Sequence, residues 1–469
     1  MLKRLFPFIC VALTIIPVSA QNLLEENELV EAKEFNSIDE ALREPENVYK
    51  LNLGHLGLKE IPEEVYRFRK LQVLDLWNND IAHIPAEIRD LPNLQFLNVS
   101  GNKLKTLPTE LGELRFLMMI EAEENQIEYI PNIICTLPDL ESLNLSNNQL
   151  QELPSNIGEL KSLMNLNLSN NKITALPASF GDLGELQSVN LSNNELKELP
   201  PEIQNLKSVK IFDIKSNLLL ELPPQISKLN QIPYLNISNN ELRKLTPSIG
   251  EMDMLLMLDL SKNQLSGLPD EIGKLKGLFE LDLSENKIVE LNSNIGSLSN
   301  LQYLNLQKNV LRELPPEIGQ MTSLVEMDLS SNILLQLNPE IGKLTSLTKL
   351  NIYNNQLSTL PPEIGSASAL EELNASYNSL KKLPAAIGDI SALKSLNFSN
   401  NQLTDLPIEI GNLSNLKGLD LNSNELTTLP PSISNLNNLQ YIYLRNNNFS
   451  EKEVENIKNQ LPDFIKIRI

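Results

Sequence analysis

The sequence predicts an α/β solenoid, a stack of similar coils in which each coil adds one short strand to a parallel β-sheet. Three observations support this prediction. Segments such as LNLSNNQLQELP, which begins at Leu143, recur along the 469 residues at a constant spacing of 23 residues. Leucines alternate with polar residues within each segment, and an asparagine occupies the same place in almost every copy. A constant period of this length is typical of proteins built from stacked units.

Each unit contains a strand and a return segment. Leu143 and Leu145 are separated by a single polar residue, an alternation that predicts a short strand with one buried face. Further along the same unit, Pro154 predicts the start of a helical or 3₁₀ segment, and Gly158 suggests a tight passage of the chain. Because this return layer is bulkier than the strand layer, the strand face is expected to be concave and the return side convex.

The recurring asparagine aligns eighteen units, with Leu56 at this position in the first of them. A side-chain amide can donate to and accept from the backbone of adjacent coils, so these residues are predicted to form a structural ladder rather than a ligand site. The ladder residues are Asn79, Asn102, Asn125, Asn148, Asn171, Asn194, Asn217, Asn240, Asn263, Asn286, Asn309, Asn332, Asn355, Asn378, Asn401, Asn424 and Asn447.

The complete unit, LxxLxLxxNxLxxLPxxIGxLxx, resembles the leucine-rich repeat family in the 23-residue form found in many bacterial proteins. It is similar to the Ras-associated group of that family. The resemblance covers nearly all of the chain after its first 47 residues. It implies a horseshoe with a parallel concave sheet, short 3₁₀ segments on the convex side and an interior asparagine ladder.

Both ends of the repeat array are predicted to carry caps. Ser37 and Glu40, and later Ser450 and Glu453, have the spacing of a helix capping box. We therefore predict an acidic segment with a capping helix in residues 21–47, eighteen repeats in 48–449, and a capping helix with a last strand in 450–469. Residues 21–36 are acidic and are expected to be partly disordered.

Residues 1–20 have the pattern of a secretory signal peptide. Lys3 and Arg4 precede a short apolar run, and small residues precede a cleavage point after Ala20. The run is too short to span a bilayer, and no later stretch is apolar enough to do so. Since Cys10 lies in this segment, the exported chain would retain only Cys135 and no disulfide. The protein is thus expected to be secreted, periplasmic or on the cell surface.

The formal net charge of −21 argues against nucleic acid or an anionic membrane as the partner and favours a basic one. Several N-x-S sequons, for example at Asn144 and Asn167, fall on adjacent strands. Glycans at ~4.8 Å spacing would collide, which favours a bacterial secretory route.

Binding specificity is expected at exposed strand positions that vary between units. The position between the two strand leucines is Asn or Asp in 16 of 18 units and is interpreted as scaffold. A first candidate group is expected to lie side by side near the front as an aromatic patch rimmed by carboxylates, although scattered surface aromatics are the alternative. This group consists of Trp77, Phe96, Met119, Glu121, Glu123 and Glu124.

A second candidate group shares one column further along the chain. The group consists of Tyr234, Met257, Glu280, Tyr303 and Glu326, with Tyr353 and Tyr377 as a further contact. Beside it, Lys262, Glu285 and Lys308 alternate in sign and are interpreted as a lateral ion-pair ladder of small energetic value.

The sequence predicts no catalytic residue, no cofactor and no metal site. His55 and His83 have no nearby cysteine that would complete a metal site. Cys135 has no histidine placed to activate it, which favours a packed side chain over a nucleophile. Acidic strand residues such as Asp259, Asp282 and Asp328 lack the spacing of a known calcium motif.

We therefore predict an exported, non-enzymatic scaffold that binds a macromolecule on its concave face, with a protein as the expected partner. Three alternatives stay open. One is a cell-surface or envelope adhesin or structural protein. Another is an intracellular signalling scaffold of the Ras-associated type, which requires that residues 1–20 are not removed. The third is an enzyme similar to the repeat-bearing ubiquitin ligases, which would need an additional catalytic domain, whereas only about 20 residues follow Asn447. The sequence does not define the oligomeric state.

Overall fold

The computed structural model describes residues 23–469, so the predicted signal peptide lies outside the described residues. The chain divides into two compact units, the first ending at Asn217 and the second beginning at Leu218. Within each unit, every strand pairs in parallel with the strand of the next coil, and the paired residues are 23 positions apart through all the repeats.

The described part of the first unit begins with two short helices, α1 (Glu26–Glu31) and α2 (Ile38–Ala41). Its strands are β1 (Glu34–Phe35), β2 (Lys50–Asn52), β3 (Val73–Asp75), β4 (Phe96–Asn98), β5 (Met119–Glu121), β6 (Ser142–Asn144), β7 (Asn165–Asn167), β8 (Ser188–Asn190) and β9 (Ile211–Asp213).

The second unit ends in helix α3 (Glu451–Gln460) and a last strand. Its strands are β10 (Tyr234–Asn236), β11 (Met257–Asp259), β12 (Glu280–Asp282), β13 (Tyr303–Asn305), β14 (Glu326–Asp328), β15 (Lys349–Asn351), β16 (Glu372–Asn374), β17 (Ser395–Asn397), β18 (Gly418–Asp420), β19 (Tyr441–Tyr443) and β20 (Lys466–Arg468). Parallel strands, short 3₁₀ segments and terminal helices confirm the predicted fold class.

The prediction of partial disorder in residues 21–36 is wrong for the described part of this stretch. Residues 26–31 form helix α1, and β1 pairs with β2. Leu29 and Phe35 are buried, and the Lys50 Nζ donates to the Val30 carbonyl oxygen at 2.9 Å. These contacts order an acidic segment because its apolar side chains cover the first coil.

Each coil buries a constant set of apolar side chains. The central strand residue, such as Leu143, is buried, whereas the residues on either side of it point to the opposite face. Ile157, Leu160 and Leu163 on the return path are also buried. Each such side chain contributes about 1.5–3 kcal/mol relative to an exposed one. The core is therefore a continuous column within each unit.

The return path runs as 3₁₀ segments, from Glu63–Arg67 in the first repeat to Pro431–Asn435 in the seventeenth, and helix α3 takes this place in the eighteenth. Gly158 is needed here because of the neighbouring coil. A Cβ atom at this position would overlap the Ser179 carbonyl oxygen. Cys135 occupies the equivalent position one coil earlier, where it is fully buried, and burial raises the pKa of its thiol to about 12.

The asparagine ladder joins each coil to the preceding one. The Asn148 Nδ2 donates to the carbonyl oxygens of Ala122, Leu145 and Ser146 at 3.0–3.1 Å, and its Oδ1 accepts from the Ile127 N–H at 2.9 Å. Asn148 itself is buried. Since the turn would otherwise leave these backbone groups without partners, each asparagine satisfies several polar atoms at once.

The residue immediately before the ladder position has a positive φ in all eighteen units. Asn147, for example, has φ of 56°, in the left-handed region that asparagine tolerates better than most residues. This turn ends the strand and directs the ladder side chain inward. It explains why two consecutive asparagines recur in the repeat, a feature that the sequence pattern alone did not explain.

Candidate binding face

The strand face is the surface formed by the first and third residues of each strand, which point away from the core. We call the first residues the outer column and the third residues the floor column. The floor column is mostly Asn or Asp, and these side chains bond to their own turn. The Asn144 Oδ1 accepts from the Ser146 N–H at 3.1 Å, for example.

Floor residues also bond to each other between coils. The Asn305 Nδ2 donates to Asp282 Oδ2 at 3.0 Å, and the Asn351 Nδ2 donates to Asp328 Oδ2 at 2.9 Å. The floor column is therefore a polar ladder that supports the surface, and variation along the face is concentrated in the outer column.

The predicted position of Trp77 beside Phe96 and Met119 is wrong. Phe96 pairs with Met119, but the residue paired with Phe96 in the preceding strand is Val73. Trp77 follows the strand by two residues, and its ring contacts His55 with centroids 3.8 Å apart. Residues at equivalent positions of consecutive coils are 23 apart and pair directly, whereas Trp77 and Phe96 are 19 apart and occupy different positions of their units.

Glu121 occupies a floor position, and Glu123 lies two residues further along the chain. The Asn144 Nδ2 donates to both carboxylates, to Glu121 Oε2 at 2.8 Å and to Glu123 Oε2 at 3.0 Å. Burial and the nearby negative charge of Glu123 raise the pKa of Glu121 to about 7. Glu124 is exposed at the positive-φ position. Of the three candidate carboxylates of the first unit, Glu121 and Glu123 are therefore hydrogen-bonded to Asn144 of the floor column.

The outer column of the second unit contains the second candidate group. The register aligns Tyr234, Met257, Glu280, Tyr303 and Glu326 on successive strands. Lys349, Glu372 and Ser395 continue this column.

A groove of about 570 Å³ lies on this face, from Glu280 to Asn397. At its centre, the Lys349 Nζ lies 2.8 Å from Glu326 Oε1. The groove has a polar floor and outer positions that change from one coil to the next. The role of these residues in binding a partner stays a prediction.

The sequence pattern did not identify the aromatic and apolar side chains that precede the strands. Phe279 lies one residue before β12, and its ring centroid is 5.2 Å from that of Tyr303. Leu256 occupies the equivalent place before β11 and is 48% exposed. The signal that could have found them is the 23-residue spacing of these two positions.

Tyr353 and Tyr377 lie just beyond the ends of strands β15 and β16 in the second unit. Their ring centroids are 5.2 Å apart in an edge-on arrangement. Tyr377 stands at the positive-φ position and is 50% exposed. The same position holds Lys262, Glu285 and Lys308, of which Lys308 and Glu285 form an exposed ion pair at 3.3 Å.

The residues considered for metal binding or catalysis are dispersed. Asp259 and Asp282 pair on adjacent strands, but Asn305 separates Asp282 from Asp328. Among residues 23–469, no group of three or more His, Cys, Asp or Glu side chains could hold a metal ion. Within the same part of the chain, no helix is long and apolar enough to cross a membrane.

Comparison with known families identifies the class of protein. The pattern described as leucine rich repeat matches residues 46–104, 138–196, 345–403 and 391–449, and the leucine-rich repeat region pattern matches residues 248–357. The chain belongs to the leucine-rich repeat family.

Solved structures give more specific likenesses. A leucine-rich repeat protein of Leptospira interrogans is 36% identical, with a TM-score of 0.66, over 93% of this chain and 100% of the other. YopM from Yersinia enterocolitica is 26% identical, with a TM-score of 0.60, over 96% of each chain. A plant peptide hormone receptor, RGFR1 in complex with RGF2, is 29% identical, with a TM-score of 0.67, over 86% of this chain and 71% of the receptor. The comparison with curated proteins gave no match.

Proposed function

We propose that this protein is an exported, non-enzymatic scaffold that binds another protein through its strand face. The observation that carries the proposal is the contrast between the floor column and the outer column of the groove. The floor side chains bond to the scaffold, whereas the outer column changes from tyrosine to glutamate to lysine within a few strands. A rigid face with varied side chains loses little entropy when it binds.

The comparisons support this function at the level of the family. RGFR1 is a plant peptide hormone receptor, and its structure is that of a complex with RGF2. The groove of this chain extends over several strands and is open along the strand face. Its shape is suited to a peptide segment or a protein surface rather than to an enclosed small molecule.

Export is part of the proposal and depends on residues 1–20. The basic start, short apolar run and small residues before Gln21 favour cleavage after Ala20. Sequencing the N-terminus of the native protein is the direct test. A mature chain that begins at Gln21 supports export, and a chain that retains residues 1–20 favours the intracellular alternative. The bacterial origin and the Ras-associated grouping stay predictions.

Partner binding can be tested by photo-crosslinking from defined positions. A photoreactive phenylalanine analogue replaces Phe96 or Tyr303 on the strand face in separate variants. Matched control variants carry it at Ile133 or Ile408, which are exposed on 3₁₀ segments. We expect crosslinks to a partner protein from the strand face and few from the controls.

Equal crosslinking from both sets of positions would contradict binding through the strand face. Crosslinks only between copies of this chain would favour the structural or adhesive alternative. Each result is read by mass spectrometry of the crosslinked peptides, which also identifies the partner.

A further inference from the structure

Apolar side chains are exposed beside the groove of the second unit, on the coils that lead up to it. Tyr234 is 44% exposed, Leu256 48% and Phe279 37%. Met257 and Tyr303 are half-buried between them in the outer column. We call these five residues the apolar strip. An exposed contiguous apolar surface of this kind marks a contact site for another molecule.

Three carboxylates border the apolar strip. Asp259 and Asp282 pair in the floor column, and Glu280 lies on the strand of Asp282 and points to the same face. Burial raises the pKa of Glu280, and the negative charges of Asp282 and Asp259 raise it further. Asp259, Glu280 and Asp282 therefore form a cluster of carboxylates that is half-buried.

No cation occupies the neighbouring strand positions. On the two flanking strands, the outer and floor columns hold Tyr234, Asn236, Tyr303 and Asn305. The nearest outer-column lysine, Lys349, already pairs with Glu326.

Lysines also follow two of these strands, at the positive-φ positions. Of these, Lys308 pairs with Glu285 at 3.3 Å, and within residues 23–469 Lys262 forms no ion pair with any of the three carboxylates. The charge of the three carboxylates is thus left to be matched by a partner.

We propose that the apolar strip and these three carboxylates bind an extended segment of the partner protein that carries an arginine or lysine next to apolar residues. This inference rests on the proposed function and specifies the chemistry of the ligand. A cation bound at Glu280 is also within reach of the Tyr303 and Phe279 rings, which favour positive charge over their faces.

An extended peptide can cross the strands of this face. Adjacent outer-column residues lie one strand apart, ~4.8 Å, and alternate side chains of an extended peptide recur on one side every ~6.6 Å. With a basic side chain at Glu280, the next side chain on the same side therefore lies ~1.8 Å beyond the strand of Met257 or Tyr303, a difference that long side chains can bridge. The remaining side chains of the segment face solvent.

The test uses a phage-displayed library of random 12-residue peptides, selected on the purified protein. Binding of the selected peptides is then measured for wild type and for the triple variant D259N, E280Q, D282N. Asparagine retains the oxygen with which Asp259 and Asp282 accept the N–H groups of Ser261 and Ser284. Asparagine also occupies this position in other repeats, so the variant is expected to fold.

The matched control removes three carboxylates from elsewhere in the same unit, as D420N, E409Q and E425Q. We expect the selected peptides to be rich in arginine or lysine beside apolar residues. Their binding should weaken at least tenfold in the triple variant, less than twofold in the control, and markedly as salt rises from 0.05 to 0.5 M. Phe279→Ala should weaken it without changing the salt dependence.

Selection of neutral or acidic peptides, equal binding to the triple variant, or selection of no peptide would overturn the inference. These results leave the proposed function standing if the strand face still crosslinks to a partner protein. Loss of strand-face crosslinking together with intact peptide binding would count against the function instead. The two failures are therefore distinguishable.

Discussion

Asn332, inside the second unit, and Asn351, on its strand face, are the same residue type in different environments. The Asn332 Nδ2 donates to the carbonyl oxygens of Leu306, Leu329 and Ser330, and its Oδ1 accepts from the Leu311 N–H. Asn351 makes one bond to Asp328 and one to its own turn. The comparison teaches that the buried asparagine satisfies four backbone groups of its own and the preceding coil, whereas the half-buried floor asparagine makes two side-chain bonds beside solvent.

The largest expected effect is the loss of an interior ladder residue. Asn332→Ala leaves several buried backbone groups without partners, each of which costs about 1–3 kcal/mol when unsatisfied. We expect the free energy of unfolding of the second unit to fall by about 3–4 kcal/mol, measured by urea denaturation. Hydrogen exchange locates the loss, because stacked repeats need not unfold as one cooperative unit.

The matched control for this prediction is Asn351→Ala on the strand face. Asn351 is only half-buried, so water can replace its lost bonds, and we expect a decrease of about 1 kcal/mol. An equal decrease in the free energy of unfolding of the two variants would contradict the distinction between the interior and the strand face.

Glu121 lies on the strand face, but we expect its burial to give it a large effect on stability, as for an interior residue. Its pKa is about 7 in the folded protein, against about 4.3 in the unfolded chain. The folded state binds the proton more tightly, so stability is highest below about pH 4 and falls as the pH rises to about 7. Linkage gives a loss of about 3 kcal/mol over this range.

Glu121→Gln removes this titration. We expect the variant to be more stable than wild type by about 2–3 kcal/mol at pH 8 and nearly equal to it at pH 4. Urea denaturation of both proteins from pH 4 to 8 measures the difference, and Glu123→Gln serves as the neighbouring control. A constant difference across this pH range would show that Glu121 titrates as an ordinary surface carboxylate.

The smallest expected effect concerns the ion pair between Lys308 and Glu285. Both side chains are more than a third exposed, at 54% and 38%, so solvent and salt screen their attraction. A double-mutant cycle with Lys308→Ala and Glu285→Ala should give a coupling energy below about 0.5 kcal/mol. A coupling above 1 kcal/mol would mean that this lateral column contributes to the fold.

The regular part of the molecule was predictable because one spacing governs it. The 23-residue period fixes which residues pair between strands, and the alternation in each segment identifies the buried central residue, such as Leu143. The same rule explains why Trp77 does not lie beside Phe96, because the two residues are both aromatic but occupy different register positions. A period predicts neighbours only for residues in equivalent positions.

Features that depend on the burial of a residue and on its local backbone could not be predicted from the 23-residue period. The raised pKa of Glu121 results from burial beside Glu123 and from the shape of the floor column. The order of helix α1 depends on Leu29 packing against the first coil, outside the repeat pattern. The ring contact of Phe279 with Tyr303 joins two different positions of consecutive units, which a single-column alignment does not compare.

The burial of Cys135 has a practical consequence for labelling. The thiolate is the reactive form of cysteine, and a pKa of about 12 leaves almost none of it near neutral pH. The only other cysteine, Cys10, precedes the expected cleavage point. In protein that lacks residues 1–20, a cysteine introduced at Phe96 or Tyr303 would therefore take up a fluorescent maleimide selectively, reporting on the strand face without alteration of the native thiol.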